Sequence, residues 1–102
     1  LTVHIPLNAV PDALTAELII NKARVTARGL ARDFGIAAPR LAIAGLNPHA
    51  GEGGQLGGED QSVIAPAVAL LRDEGIDISG PLAADALFAP HIRSQYDALL
   101  CT

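Results

Sequence analysis

The residues best suited to chemistry lie in one glycine-rich stretch of the chain. An imidazole, His49, and a carboxylate, Glu52, lie beside or among five glycines that occupy eight positions from 51 to 58. Glycine permits positive φ angles and close approach of the backbone to a ligand, at an entropic cost to the fold. Because five glycines are costly for a simple connector, the composition of this loop indicates a ligand site.

Three side chains are candidates for metal binding or catalysis: His4, His49 and Asp85. His49 lies on a loop, where an imidazole is either a ligand or a surface side chain. His4 lies in an apolar segment, where a histidine is more often a satisfied core residue than a ligand. Asp85 is either a helix-start carboxylate or a site acid. Neutral imidazole is a common metal ligand, but His4 and His49 are too far apart in sequence for a short metal motif such as HExxH.

The glycines match neither of two common phosphate-binding motifs. A P-loop requires GxxxxGK[ST], and no lysine follows Gly53-Gly54. A dinucleotide fingerprint requires GxGxxG, and Gly51, Gly53 and Gly57 miss its spacing by one residue. A phosphate at the start of the following helix, near Glu59, stays open as an alternative.

Four apolar segments predict the strands that position these residues. Residues 41–46 are apolar without alternation, which is typical of a central strand covered on both faces. Residues 1–5, 76–82 and 96–101 predict three further strands, with Cys101 buried in the last. Ligands of such sheets bind beyond the carboxyl ends of the strands. His4 and His49, each near a predicted strand end, should therefore reach one crevice.

The remaining segments predict helices between the strands. An apolar stripe predicts one helix of roughly 22 residues from Pro11 to Phe34, ended by Gly35. Residues 59–74 predict a second helix, which Pro66 should shorten or kink and whose start Glu59 and Asp60 should favour electrostatically. Residues 83–89 predict a brief helix, and residues 90–95 a polar connection. This order predicts an α/β fold, with a mostly parallel sheet flanked by helices.

Composition excludes several classes of function. The chain has 102 residues, a net charge of −4 and a pI of about 5.1, which disfavours nucleic acid as a partner. No apolar run approaches a membrane span. The single cysteine permits no internal disulfide and favours a cytoplasmic setting. The strand-like patterns at both ends, and the absence of methionine, predict that residues 1–102 are one partial α/β domain of a longer chain.

Three arginines recur on one face of the first long helix, at positions 24, 28 and 32. Their spacing of four residues places like charges side by side, which is mildly destabilising. The stripe is either a solvated face or a site for a phosphate or partner.

Residues 45–54, Gly-Leu-Asn-Pro-His-Ala-Gly-Glu-Gly-Gly, resemble the signature loop of the 4-hydroxythreonine-4-phosphate dehydrogenase family of pyridoxal phosphate biosynthesis. The likeness covers essentially the whole chain. The other similar segments are residues 3–7, 34–36 with 39–40, 80–82 with 84–85 and 87–88, and 96–98.

The resemblance implies one divalent metal ion, zinc, magnesium or cobalt, held by three histidines. His4 and His49 match the first two, and the third lies beyond Thr102. Asp85 matches a carboxylate near the metal, with base or orienting duty as a hypothesis. The candidate substrate and loop residues are Asn47, Gly51, Glu52, Gly53 and Gly54. No NAD-binding residue lies within the chain, so the resemblance implies that residues 1–102 alone are inactive.

The resemblance further implies a homodimeric enzyme with an isopropylmalate-dehydrogenase-like fold. Such an enzyme oxidises 4-phosphohydroxy-L-threonine with NAD, and the β-keto acid product loses carbon dioxide. Two alternatives stay open. One is a sister dehydrogenase acting on a phospho-threonate, a phospho-erythronate or a cyclic diol carboxylate. The other is a non-catalytic metal-binding or dimerisation module, if the 102 residues are the complete protein.

Overall fold

Three parallel strands form one sheet, with the predicted central strand in the middle. The computed structural model describes residues 1–102 and gives the strands as β1 (Leu41–Ala44), β2 (Ile78–Leu82) and β3 (Ala98–Leu100). Their order is β2-β1-β3, and both pairings are parallel. All four residues of β1 are buried. The predicted α/β class with a parallel sheet is confirmed.

Five helices flank the sheet, and none is long and apolar enough to cross a membrane. A 3-10 turn (Leu7–Ala9) precedes α1, and a π-helical turn (Asp60–Ile64) leads directly into α3. Pro66 lies in the first turn of α3. Because proline has no N–H, the normal α-helical bond is missing there, and the predicted distortion is confirmed. The helices are α1 (Val10–Ala13), α2 (Ala16–Phe34), α3 (Ala65–Asp73), α4 (Ala84–Leu87) and α5 (Pro90–Arg93).

The core lies on both faces of the sheet because successive side chains of β1 point in opposite directions. Leu41 and Ile43 belong to the larger cluster, together with buried side chains of α2 and α3. Ala42 and Ala44 form the smaller cluster with Leu87 of α4. The small alanines let α4 approach the sheet closely, which fixes the helix that carries Asp85.

The predicted strand at residues 1–5 is wrong. These residues form no helix or strand, and His4 has a φ of 56°, which is incompatible with an extended strand. Val3 is 79% exposed. An apolar run becomes a strand only where a neighbouring strand pairs with it along its length, and of residues 1–5 only the N-terminus of Leu1 bonds to the sheet side, donating to the carbonyl of Cys101 just after β3. His4 therefore does not end a strand.

The predicted continuous helix from residue 11 to residue 34 is also wrong, because the chain is broken before α2. Leu14 is buried and has an extended ψ of 93°. Thr15 then caps α2, its Oγ1 accepting a hydrogen bond from the backbone N–H of Leu18 at 3.1 Å. Phe34, placed on the apolar stripe by the sequence, is exposed. The predicted end of the helix at Gly35 is confirmed by its φ of 71°.

Two predictions near the end of the chain need correction. Cys101 is exposed, because the last strand ends at Leu100, which is the buried residue. Residues 90–95 contain the short helix α5, which begins at Pro90. Proline suits the first turn of a helix, since its missing N–H would have no partner there.

An ion pair joins the chain just before β1 to the chain just before β3. Asp97 Oδ2 accepts the backbone N–H of Arg40 at 2.7 Å, and Asp97 Oδ1 lies 3.1 Å from Arg40 Nη2. The hydrogen bonds from Arg40 hold the pKa of Asp97 below its ordinary value of 3.8. The contact therefore stabilises the folded state above that value, and the stabilisation is lost as the pH falls through the lowered pKa.

We expect the Asp97→Asn variant to unfold at a slightly lower temperature near neutral pH, since an amide keeps an acceptor but loses the ion pair. Its further loss of stability on acidification from about pH 5 to pH 2 should be smaller than that of the unsubstituted protein. Melting temperatures across this range measure both effects. Asp73→Asn removes the same charge from an exposed aspartate and is the control. Parallel acid profiles for all three proteins would contradict the stabilising role of the contact between Asp97 and Arg40.

Gly80 of β2 allows β2 to lie against β1. Its φ is 141°, and a Cβ there would overlap the side chain and carbonyl of Ile43.

We expect Gly80→Ala to lower the free energy of unfolding by about 1–3 kcal/mol. Gly29→Ala is the matched control, because its Cβ would enter open space within α2. That control should stabilise the protein by about 0.5–1 kcal/mol. Denaturant titration measures both, and equal effects would contradict the prediction.

Candidate functional site

A cleft of about 330 Å³ opens at the carboxyl ends of β1 and β2. This is the edge at which ligands bind to open parallel sheets. The backbone N–H of Gly45 donates to the carbonyl of Leu82 at 2.8 Å, which continues the pairing of the two strands into the cleft. The cleft is lined by Gly45, Leu46, Asn47, Pro48 and His49 after β1, and by Ala84 and Asp85 after β2.

His49 and Asp85 face each other across this cleft. The distance from His49 Nδ1 to Asp85 Oδ2 is 3.7 Å, which exceeds a hydrogen bond but permits an ion pair when the imidazole is protonated. Both side chains are open to ligands, with 57% and 68% of their surfaces exposed. Buried Leu87 anchors α4 and thereby Asp85. The structure thus brings together two of the predicted site residues.

The loop that carries His49 is a left-handed turn. His49, Ala50 and Glu52 have φ angles of 52°, 52° and 42°, and the glycines between and after them are also positive. An L-residue in this region costs on the order of 1–2 kcal/mol. Three such residues in one turn require strong local support. Strain of this kind concentrates at functional sites, where it forms part of a preorganised geometry.

Asp60 supplies that support, whereas the sequence pattern predicted for it only an electrostatic role at the start of the helix. Its side chain is 0% exposed. One carboxylate oxygen accepts the backbone N–H of Leu46 at 2.9 Å. The other accepts the backbone N–H of Asn47 at 3.1 Å and the side-chain amide of Asn47 at 3.0 Å. One feature of the sequence indicates that Asp60 is buried. It precedes Ile64 and Ala67, which are both buried, at helical spacing, and therefore lies on the core-facing side of the helix pattern.

Three glycines of this region are required by the packing of the loop on itself. A Cβ at Gly45 would lie 2.6 Å from Asp60 Oδ1, and one at Gly57 would lie 2.5 Å from Asn47 Cγ. A Cβ at Gly51 would lie 2.9 Å from the carbonyl oxygen of Gly57. These glycines therefore allow the loop to close around Asp60. Close approach to a ligand remains available at Gly53, where a Cβ would meet no atom within 4 Å.

Asn47 links the loop to both acidic residues at the start of the next helix. Besides its bond to Asp60, its amide nitrogen donates to Glu59 Oε2 at 2.8 Å. This bond, assisted by the backbone N–H groups of Glu59 and Gly58, holds the pKa of Glu59 below its ordinary value of 4.5. The side chain of Asn47 is therefore engaged within the loop, although the residue also lines the cleft.

The remaining predicted site residues lie apart from the cleft. His4 lies on the exposed N-terminal segment and does not line the cleft. Glu52 is exposed on the left-handed turn and does not line it either. His91 lies on α5. Nowhere do three His, Cys, Asp or Glu side chains gather as a metal-binding cluster. The imidazole and carboxylate of His49 and Asp85 have the donor chemistry of a divalent-metal site, but two donors do not complete one.

A second cleft, of about 340 Å³, lies at the opposite edge of the sheet, where Pro39 and Asp77 precede β1 and β2. Its wall includes Arg24 and Arg28 of the arginine stripe. Arg24 is paired with Glu74 at the end of α3, with Nε 2.9 Å from Oε2. Intramolecular pairing of this kind favours the interpretation of the stripe as a stabilised surface. The first cleft is the better candidate site, because it combines the carboxyl edge with His49.

We expect Gly57→Ala to loosen the loop, because its Cβ would overlap Asn47 and its φ is 124°. The neighbouring Gly58→Ala is the matched control, since a Cβ there meets nothing within 4 Å. Limited proteolysis should cut residues 49–58 at least several-fold faster in Gly57→Ala than in the control. Indistinguishable cleavage of the two variants would contradict the proposed packing.

The comparisons with known proteins identify the family. A sequence model described as pyridoxal phosphate biosynthetic protein PdxA matches residues 1–102. A curated relative from Erythrobacter litoralis, 4-hydroxythreonine-4-phosphate dehydrogenase, is 57% identical over 99% of this chain and 30% of its own length. The chain thus spans about 30% of the length of the curated relatives it matches.

Solved structures agree with the sequence comparison. A 4-hydroxythreonine-4-phosphate dehydrogenase from Burkholderia phymatum has a TM-score of 0.92 and 37% identity, covering 98% of this chain and 30% of that one. A terephthalate 1,2-cis-dihydrodiol dehydrogenase from Burkholderia xenovorans has a TM-score of 0.86 and 32% identity, covering 96% of this chain and 30% of that one. The resemblance inferred from the glycine-rich loop is therefore confirmed, and the chain belongs to the PdxA family of pyridoxal phosphate biosynthetic proteins.

Proposed function

We propose that residues 1–102 carry the metal- and substrate-binding cleft of an NAD-dependent dehydrogenase. The proposed reaction is the oxidation of 4-phosphohydroxy-L-threonine in pyridoxal phosphate biosynthesis, followed by loss of carbon dioxide from the β-keto acid. The observation that carries the proposal is His49 facing Asp85 at 3.7 Å in a cleft at the carboxyl edge of the sheet. Relatives named for this dehydrogenase reaction support the choice of substrate.

His49 and His4 are the proposed metal ligands of this chain, and a third histidine would come from outside residues 1–102. His49 fits the role because its imidazole is exposed on the cleft wall. His4 is also exposed, so its side chain is available to a ligand. When bound, a divalent zinc, magnesium or cobalt ion would polarise the substrate hydroxyl as a Lewis acid, and NAD would accept the hydride.

Asp85 is the proposed orienting or proton-accepting group. Its carboxylate lies on the Nδ1 side of His49, so a small movement would let it accept the Nδ1–H and leave Nε2 free as a ligand. Its exposure also lets it receive the proton of the substrate hydroxyl directly. On the turn, Glu52, Gly53 and Gly54 are exposed and available to substrate, whereas Gly51 is buried and supports the turn.

The wider setting of the enzyme is also part of the proposal. Residues 1–102 would form a partial α/β domain that contributes to a homodimer in the cytoplasm. The net charge of −4 is consistent with a small-molecule substrate and with no nucleic-acid partner. NAD would bind mostly outside this chain, because its glycines match no dinucleotide motif.

A second candidate is a sister dehydrogenase acting on a cyclic diol carboxylate or on a phospho-threonate or phospho-erythronate. The likeness to the Burkholderia xenovorans dihydrodiol dehydrogenase, at 32% identity, favours keeping it. The higher identity to the 4-hydroxythreonine-4-phosphate dehydrogenases, 57% for the Erythrobacter litoralis protein, favours the first candidate. Turnover of the purified protein with each substrate class and NAD separates the two.

We expect His49→Ala in the complete protein to weaken divalent-metal binding at least about a hundredfold and to abolish turnover, while the fold is retained. His49 is exposed, so its loss leaves no cavity in the core. Calorimetric titration with Co²⁺, NADH formation and circular dichroism measure the three quantities. His91→Ala on α5 is the matched control and should behave as the unsubstituted protein. Unchanged metal affinity and activity in His49→Ala would refute the metal role.

A further inference from the structure

We infer that Asp60 is a positioning residue for the cleft: its buried carboxylate holds the left-handed turn so that His49 faces Asp85. The inference deepens the proposed function and rests on it for the role of His49. Asp60 itself does not line the cleft. It acts through the loop, and no direct contact with substrate is assigned to it.

The contacts of Asp60 identify it as an anchor. Its side chain is fully buried, yet it pairs with no lysine, arginine or histidine within ion-pair distance. A buried carboxylate without a cation is costly unless hydrogen bonds satisfy it. Three N–H groups do so here, two from the backbone and one from the Asn47 side chain. Each of these donors belongs to Leu46 or Asn47, so the stabilisation is directed at the loop.

The location of these bonds connects Asp60 with His49. Leu46 and Asn47 lie immediately before the turn. Gly51, within the turn, lies against the same carboxylate, because a Cβ added to Gly51 would be 3.3 Å from Asp60 Oδ2. Asp60 therefore contacts the chain on both sides of His49. Since His49 and its neighbours have costly positive φ angles, the turn would relax to ordinary conformations without this anchor.

Asparagine is the informative replacement for Asp60, because it has the same shape. It offers one acceptor oxygen and an NH₂ group, but three N–H donors converge on the two oxygens of the aspartate. At least one donor would face another donor and lose its bond. The Asp60→Asn variant thus removes the anchor while leaving the packed volume unchanged.

The test uses the complete protein and compares Asp60→Asn with Asp73→Asn, an exposed aspartate at the end of α3. In the metal-free state we expect amide exchange at Leu46 and Asn47 to accelerate at least tenfold in Asp60→Asn, while the amides of β1 and α3 keep their protection. We also expect binding of Co²⁺ alone to weaken by about tenfold or more, the size typical of lost outer-shell partners. Asp73→Asn should change neither quantity.

Two results would overturn the inference. One is unchanged Co²⁺ affinity in a folded Asp60→Asn protein; the other is a uniform rise in exchange across β1 and α3, which would mark a merely structural role. If Asp60→Asn does not fold, Asn47→Ala is the second variant. It removes one of the three bonds to Asp60 together with the bond to Glu59, and it should accelerate amide exchange at Leu46 by a smaller factor while β1 and α3 keep their protection. Failure of the unsubstituted protein to bind Co²⁺ would instead refute the proposed function, and the exchange data would still decide whether Asp60 holds the loop.

Discussion

The buried carboxylate of Asp60 joins the start of one helix to the end of the central strand. Its three hydrogen bonds from Leu46 and Asn47 hold a turn in which three non-glycine residues have positive φ angles. Such a turn is unstable alone, since each of these residues costs on the order of 1–2 kcal/mol. The same packing requires glycine at positions 45, 51 and 57, because a side chain there would collide with Asp60 or with the loop around it.

The parallel sheet determines what this turn can do. In a parallel sheet the carboxyl ends of neighbouring strands lie at one edge. The loop after β1 therefore meets the segment after β2, and the hydrogen bond from Gly45 to Leu82 fixes their separation. Asp85 reaches the cleft because α4 rests on Ala42 and Ala44 through Leu87. The alternation of β1 side chains that builds two cores thus positions Asp85, whereas the hydrogen bonds of Asp60 support the turn that carries His49.

The cleft places an imidazole beside a carboxylate without completing a metal-binding cluster. His49 and Asp85 supply one imidazole and one carboxylate, and more than half of each side chain is exposed. No third donor is gathered there by residues 1–102. The relatives are about three times as long, as this chain covers 30% of their length. An open cleft, with His49 as its one proposed metal ligand, agrees with the proposal that a further histidine comes from outside residues 1–102.

The sequence by itself determined the α/β class, the buried central strand, the end of α2 at Gly35, the distortion at Pro66 and the family of the glycine-rich loop. These follow from local patterns: an unbroken apolar run, a glycine at a helix end, a proline without N–H, and a specific ten-residue motif. Tertiary structure alone decided that residues 1–5 form no strand and that Asp60 anchors the loop. A strand at residues 1–5 would need pairing along its backbone, whereas only the N-terminus of Leu1 bonds to the carbonyl of Cys101. The role of Asp60 depends on Leu46 and Asn47, thirteen or more residues away in sequence, whose N–H groups reach the carboxylate only after the chain has folded.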